Sequence, residues 1–88
     1  MKSYKLTSHA KEEMTRRQIP LELLEKTMLN PQQVINFSKD RQCFQSVFAF
    51  PSGKSYLIRV VTENINSDLL IVTVYRTSKI KKYVKEEK

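Results

Sequence analysis

The chain has 88 residues, 40% of them hydrophobic, and a net charge of +7, which indicates one small globular domain over residues 1–88 rather than a disordered chain. A single histidine, cysteine and glycine exclude a Cys/His zinc site, an internal disulfide and a glycine-rich phosphate loop, so we expect no metal and no cofactor. No apolar run approaches the ~18 residues of a membrane span, and without a secretion signal we expect a cytoplasmic protein that does not contact membranes.

Two amphipathic helices are predicted in the first third of the chain. Thr7 or Ser8 can cap the first helix, and its apolar side chains recur every four residues. They are Leu6, Ala10 and Met14. The second helix begins at Pro20, whose missing N–H suits a first helical turn, and it ends at Asn30-Pro31.

Four β-strands are predicted in the rest of the chain, from period-two alternation and β-branched runs. They cover residues 32–37, 42–50, 55–63 and 69–77. Phe44, Phe48 and Phe50 share one face, and the last two strands are apolar on both faces, which is typical of central strands. Helices followed by hairpin-connected strands predict an α+β fold, with two helices on one face of a four-stranded antiparallel sheet and a basic C-terminal tail.

The positive charge is concentrated at the two ends of the chain. Residues 1–19 carry five basic and two acidic groups, and residues 76–88 carry six basic and two acidic groups. The segment between them is neutral, with five of each. A basic surface of this kind favours a nucleic-acid partner, and the alternative is a solvated, lysine-rich tail.

The first helix carries the chain's one histidine, His9. Histidine gains and loses a proton near neutral pH, which suits a general acid or base. On a helical wheel His9, Glu13 and Arg17 follow one side, with Arg17 at the edge of the apolar stripe and Arg16 on the far side of His9. An arginine in that place needs a partner or a phosphate. The alternative is a surface histidine beside an arginine whose alkyl stem lies along the core.

Polar residues interrupt the two most apolar strands. Arg59 interrupts "YLIRVV", and Thr73 and Tyr75 interrupt "LIVTVYR". A three-residue turn would place Arg59 directly opposite Thr73, with all three side chains on one face. The three side chains then form a functional polar surface, or they are simply exposed to solvent.

The basic end of the chain contains one aromatic residue, Tyr83, among arginine and lysine. The basic residues around it are Arg76, Lys79, Lys81, Lys82 and Lys85. Tyr83 can stack on a base while these residues hold phosphates, and with Ile80 it can also anchor the tail to the sheet.

Short motifs along the chain resemble a small bacterial family of unknown function. The matching positions are His9-Ala10, Arg17-Gln18-Ile19, Asn30-Pro31, Thr73-Val74-Tyr75 and Lys82-Tyr83. Gln18 departs from the glycine that is usual at its position. The family looks like a branch of the superfamily of barnase, colicin ribonucleases and RelE-like toxins, which implies helices before a four-stranded antiparallel sheet, metal-independent RNA cleavage and a cognate antitoxin.

The residues and the resemblance together predict an endoribonuclease, the toxin of a toxin–antitoxin pair that acts on mRNA or tRNA and is bound by an acidic antitoxin. His9 is the expected general acid or base, Arg17 binds the phosphate, and Thr73 and Tyr83 position the nucleotide. The expected RNA-binding residues are Arg59, Tyr75, Arg76, Lys79 and Lys82. The alternatives are a non-catalytic binding module of the same scaffold and, less favoured because the second helix is acidic, a DNA-binding regulator.

Overall fold

The computed structural model describes residues 4–84, in which five strands form a single mixed sheet accompanied by three short helices. The elements are β1 (Tyr4–Leu6), α1 (Ser8–Arg16), α2 (Leu21–Leu29), β2 (Gln33–Asn36), β3 (Arg41–Ala49), β4 (Ser55–Ile65), β5 (Asp68–Thr77) and α3 (Ile80–Tyr83). The sheet order is β1-β5-β4-β3-β2. β1 pairs with β5 in parallel, and the other three pairings are antiparallel.

The prediction of two helices on a four-stranded antiparallel sheet was wrong, because a fifth strand, β1, and a third helix, α3, complete the fold. Leu6, which the sequence pattern assigned to the first helix, lies in β1 opposite Ile71. A strand of three residues is too short to show a period of two. The predicted strands from residue 32 onward correspond to β2–β5, and β4 lies at the centre of the sheet as expected.

The hydrophobic core lies between the sheet and the two helices α1 and α2, on one face of the sheet. Ala10 and Met14 of α1 and Leu24 of α2 are buried there against side chains of the two longest strands. These side chains are Ile58, Val60, Ile71 and Val74. The three phenylalanines of β3 and its end pack against the same cluster, as predicted. No helix within residues 4–84 has the length and apolar character needed to cross a membrane.

Thr7 joins the start of α1 to the middle of β5. Its Oγ1 accepts a hydrogen bond from the Ala10 N–H at 3.1 Å, as an N-cap does, and donates to the Ile71 carbonyl at 3.0 Å. Its backbone N–H also donates to the Ile71 carbonyl, at 3.1 Å. These bonds hold α1 along β5, so that the end of α1 lies near the end of that strand.

The β4–β5 hairpin closes through a two-residue turn rather than the three-residue turn that the sequence suggested. Asn66 and Ser67 form it with φ values of 49° and 70°, the positive values that a type I′ turn requires. A register shift between Val61 and Thr62 then places Arg59 opposite Tyr75 instead of opposite Thr73. The shift acts as a β-bulge, and it restores Arg59, Thr73 and Tyr75 to one face.

The turn after α1 has a backbone conformation that usually requires glycine, and Gln18 adopts it. Gln18 has φ 55°, and its N–H donates to the Thr15 carbonyl at 3.3 Å while the Ile19 N–H donates to the Met14 carbonyl at 2.9 Å. This pattern is a Schellman motif, in which the residue with positive φ is usually glycine. Ile19 is then buried against the core, so the tight turn forms in spite of the glutamine.

The Gln18→Gly variant is expected to be more stable than the wild type by about 0.5–1 kcal/mol, because glycine adopts positive φ without a steric penalty. The gain is reduced by the larger entropy of the unfolded glycine chain. Urea unfolding at neutral pH measures the difference. Gln18→Ala serves as the control and should not be stabilised, since alanine keeps the Cβ that makes the conformation costly.

Candidate nucleic-acid interface

A basic cleft lies where the end of α1 meets the ends of the β4–β5 hairpin. Its volume is about 420 Å³, within the range of small-ligand sites. The residues that line this arginine cleft are Arg16, Arg17, Gln18, Tyr56, Arg76, Thr77 and Ser78. Three cations and several hydroxyl groups face the cleft, and no acidic residue is among the described residues that line it. Such a surface is suited to phosphate oxygens.

A single buried carboxylate orients the two arginines on the helix side of the cleft. Glu13 is only 7% exposed, and its Oε1 accepts a hydrogen bond from Arg17 Nε at 2.9 Å while its Oε2 accepts one from Arg16 Nη2. The Arg16 side chain is 70% exposed and that of Arg17 is 42% exposed. The prediction that Arg17 lies at the buried edge of the helix was therefore wrong, because the helix ends at Arg16 and Arg17 is its C-cap residue.

Aromatic rings hold the third arginine of the cleft. The Arg76 guanidinium lies 4.8 Å from the centre of the Phe50 ring and 4.5 Å from that of Tyr56, and the two rings meet edge to face. Within residues 4–84 no carboxylate pairs with Arg76. Cation–π contacts fix the plane of the guanidinium and leave its charge available to an anion.

The stability of the protein is expected to depend on Glu13 at acidic pH. Hydrogen bonds from Arg16 and then Arg17 lower the pKa of Glu13 to about 2, from 4.5. The folded state binds the Glu13 proton more weakly than the unfolded state does. The stability that ionised Glu13 contributes is therefore complete above about pH 4.5 and is lost as the pH falls towards 2. The difference in unfolding free energy between wild type and Glu13→Gln should therefore shrink from pH 6 to pH 2.5. A difference that stays constant with pH would contradict the assignment.

A second cluster occupies the reverse face of the sheet, the face that α1 and α2 leave uncovered. Its centre is Arg59, which is 6% exposed. Arg59 Nε donates to Gln45 Oε1 at 2.8 Å, and Arg59 Nη1 donates to the Tyr75 hydroxyl at 2.5 Å. The guanidinium also lies 4.3 Å from the Tyr83 ring centre and 5.9 Å from that of Phe37. No carboxylate in the described part of the chain pairs with this buried cation.

Burial determines the protonation of the neighbours of Arg59. It raises the pKa of the Tyr75 hydroxyl, and the positive charge of Arg59 opposes the rise without cancelling it. Burial likewise raises the pKa of the Cys43 thiol, again against the effect of Arg59. Both groups are therefore protonated at neutral pH, and the charge of Arg59 remains uncompensated by its near neighbours.

The predicted site residues fall into two groups on opposite faces of the sheet. His9, Arg17 and Arg76 lie on the helix side, and His9 is exposed in the first turn of α1. On the reverse face lie Thr73, Arg59, Tyr75, Tyr83 and Lys82, whose Nζ is 5.3 Å from the Tyr83 ring centre. Lys79 is exposed between β5 and α3.

Several residues of these two clusters were not predicted from the sequence. Arg16 and Tyr56 line the arginine cleft, and Gln45 and Phe37 contact Arg59. The adjacent Arg16-Arg17 pair at a helix end could have indicated Arg16. The others depend on strand register, which gives no local sequence signal.

Residues 6–76 match the model of a domain of unknown function, DUF4258. The chain belongs to the DUF4258 family. The match covers α1, α2, β2–β4, nearly all of β5 and the last residue of β1, and it includes all three arginines of the cleft. α3 and Tyr83 follow the matched segment. No curated protein and no solved structure matches the sequence. In the described part of the chain, no three His, Cys, Asp or Glu side chains are grouped so as to hold a metal ion.

Proposed function

We propose that this DUF4258 protein is a metal-independent endoribonuclease that binds single-stranded RNA in the arginine cleft. The observation that carries the proposal is the preorganisation of the cleft: Glu13 holds two arginines, and two aromatic rings hold Arg76. Guanidinium groups fixed in this way bind phosphates with less loss of side-chain entropy than free ones. The net charge of +7 and the resemblance to ribonuclease toxins support the same conclusion.

The proposed reaction is transesterification within the RNA backbone. The ribose 2′-oxygen attacks the adjacent phosphorus and gives its proton to a base, and the bond from phosphorus to the 5′-oxygen breaks as that oxygen gains a proton. The products carry a 2′,3′-cyclic phosphate and a 5′-hydroxyl. His9 is the proposed general acid or base of this step, and the arginines of the cleft bind the backbone phosphates of the neighbouring nucleotides.

The spacing along α1 relates His9 to the cleft. His9 and Arg16 are seven residues apart, or roughly 10 Å along the helix axis. Arg17 folds back towards Glu13, which lies one turn after His9. An RNA strand bound along α1 thus places one nucleotide near His9, while the nucleotides next to that one contact the arginines. RNA-strand recognition, rather than binding of one isolated phosphate, fits this separation.

The same proposal includes a protein partner. A toxin with a basic RNA-binding cleft is neutralised most directly by an acidic antitoxin that occupies the cleft, because opposite charges attract and the two ligands compete. The chain's uneven charge supports this, since its acidic and basic residues cancel over residues 20–75. A small acidic protein encoded beside this one, which co-purifies with it and protects RNA, is the expected partner.

Incubation of the purified protein with labelled single-stranded RNA in EDTA tests the activity. DNA and 2′-O-methyl RNA of the same sequence are the substrate controls, and both should bind without being cut because they have no free 2′-hydroxyl. Cleavage should yield 2′,3′-cyclic phosphate ends. Binding of all three without cleavage, even with ribosomes present, would favour the non-catalytic binding module instead.

The Arg76→Ala variant is expected to bind RNA about tenfold more weakly, since it loses charge-assisted hydrogen bonds to phosphate. The slope of log affinity against log salt should fall by about one. Lys39→Ala is the matched control, because Lys39 lies far from the cleft. The carbonyl of its neighbour Asp40 accepts a hydrogen bond from the Asn64 N–H, and Asn64 lies about 25 Å along β4 from Tyr56. Equal losses in the two variants would show that binding depends on overall charge and not on the cleft.

A further inference from the structure

We infer that the reverse face contains a nucleobase-binding pocket, formed by Arg59, Gln45, Tyr75 and Phe37, which the C-terminal strap occupies. The strap is residues 80–84, and it places Tyr83 in the pocket. The inference rests on the proposed RNA-directed function and names a subsite for it. The expected ligand is a base that carries a carbonyl oxygen, such as uracil.

Tyr83 makes the two contacts that such a base would make. Its ring lies 4.3 Å from the Arg59 guanidinium, the arrangement in which arginine stacks on bases. Its backbone carbonyl accepts a hydrogen bond from Gln45 Nε2 at 3.1 Å. A planar ring beside a carbonyl acceptor is also the shape of a pyrimidine. Adenine offers the ring without the carbonyl, so it should bind less well.

The pocket is polar and fixed before any ligand arrives. Gln45 is fully buried, and its Oε1 accepts from Arg59 while its Nε2 also donates to Gln33 Oε1 at 2.6 Å. These bonds fix which side of the amide faces the strap. When Tyr83 leaves, Gln45 keeps an N–H without its acceptor, and the buried Arg59 loses the nearest of its aromatic contacts. Both groups are costly to leave unsatisfied, and a base satisfies both.

The strap is held weakly enough to be displaced. α3 has four residues, and its N-cap residue, Lys79, makes no side-chain capping bond. A helix of one turn has little stability of its own. The backbone bonds within it, from Lys82 N–H to Lys79 and from Val84 N–H to Ile80, do not involve the sheet. Phe37, which is 50% exposed, offers a second aromatic wall to a ligand that enters.

Nucleosides distinguish binding in this pocket from binding in the arginine cleft, because they carry no phosphate for the arginines to bind. Uridine and adenosine are titrated into the full-length protein while the Gln45 side-chain amide and the Arg59 Nε–H are followed by NMR. In the wild type, uridine should shift these signals and those of the Tyr83 ring, all with the same midpoint of uridine concentration. Adenosine should bind about fivefold more weakly, as expected for one lost hydrogen bond.

Tyr83→Ala should bind uridine about tenfold more tightly than the wild type, because the competing stack on Arg59 is gone. Lys81→Ala, on the same strap, is the control and should bind like the wild type. Weaker or unchanged uridine binding by folded Tyr83→Ala overturns the inference. If that variant does not fold, the wild-type titration decides, and shifts that spare Gln45 and Arg59 overturn it.

The proposed ribonuclease activity is tested separately from the pocket. RNA cleavage without uridine binding would reject the pocket alone. Uridine binding at Gln45 and Arg59 without any RNA cleavage would reject the nuclease and leave the pocket standing.

Discussion

Replacing His9 by alanine is expected to lower the rate of RNA cleavage about 100-fold, the loss typical of a general acid or base. RNA affinity should change by less than about twofold, since the phosphate contacts of the arginine cleft lie at the other end of α1. Single-turnover cleavage and filter binding on the same RNA separate the two effects.

The pattern across variants distinguishes proton transfer from binding. Lys11→Ala removes a charge from the same helix and serves as the control for His9→Ala, with near wild-type cleavage expected. Arg76→Ala should show the opposite profile to His9→Ala, with weaker binding and a smaller loss of rate at saturating RNA. Cleavage that survives His9→Ala unchanged would reject His9 as the proton-transfer group. In a bacterial host, growth arrest should disappear with the same variant.

Replacing Arg59 by alanine is expected to destabilise the fold by about 3 kcal/mol. The change leaves a cavity on the reverse face and deprives the buried Gln45 Oε1 and the Tyr75 hydroxyl of their donor. Urea unfolding measures the loss. Arg41→Ala is the matched control and should cost less than about 1 kcal/mol, because Arg41 forms an exposed ion pair with Glu63.

A double variant tests whether the Arg59 cluster exists for stability. Arg59→Met with Gln45→Leu removes both polar partners and keeps most of the volume, so it should recover most of the stability lost in Arg59→Ala. Recovery would mean that an apolar reverse face folds as well as the natural one, and that the buried charge serves binding. If the double variant is as unstable as Arg59→Ala, the polar cluster is required by the fold.

The long elements were predictable because each shows its period over enough residues. The period-two pattern of β3 places its phenylalanines on the core face, and the runs of β4 and β5 are apolar on both faces, as central strands are. β1 has three residues and gains its role only from pairing with β5. The sequence pattern placed Leu6 on the core side of the first helix. Leu6 does pack against the core, but it lies in β1.

The clusters were less predictable than the elements. Glu13 and the two arginines lie within one helical turn, so their proximity could be derived from helical spacing. The approach of Arg76 to Arg16 and Arg17 depends on how α1 docks along β5, about sixty residues later in the chain. Arg59 faces Tyr75 because of a bulge, and neither the bulge nor the two-residue turn has a strong sequence signal here.

The bonds between Thr7 and β5 have a consequence for the protein during its synthesis. Thr7 and Ile71 are 64 residues apart, and chains fold as they emerge, from the N-terminus onward. α1 is therefore made early but has no strand to dock on until translation has passed β5. Because Arg16 and Arg17 meet Arg76 only then, the arginine cleft is completed late in synthesis, after β5 has emerged.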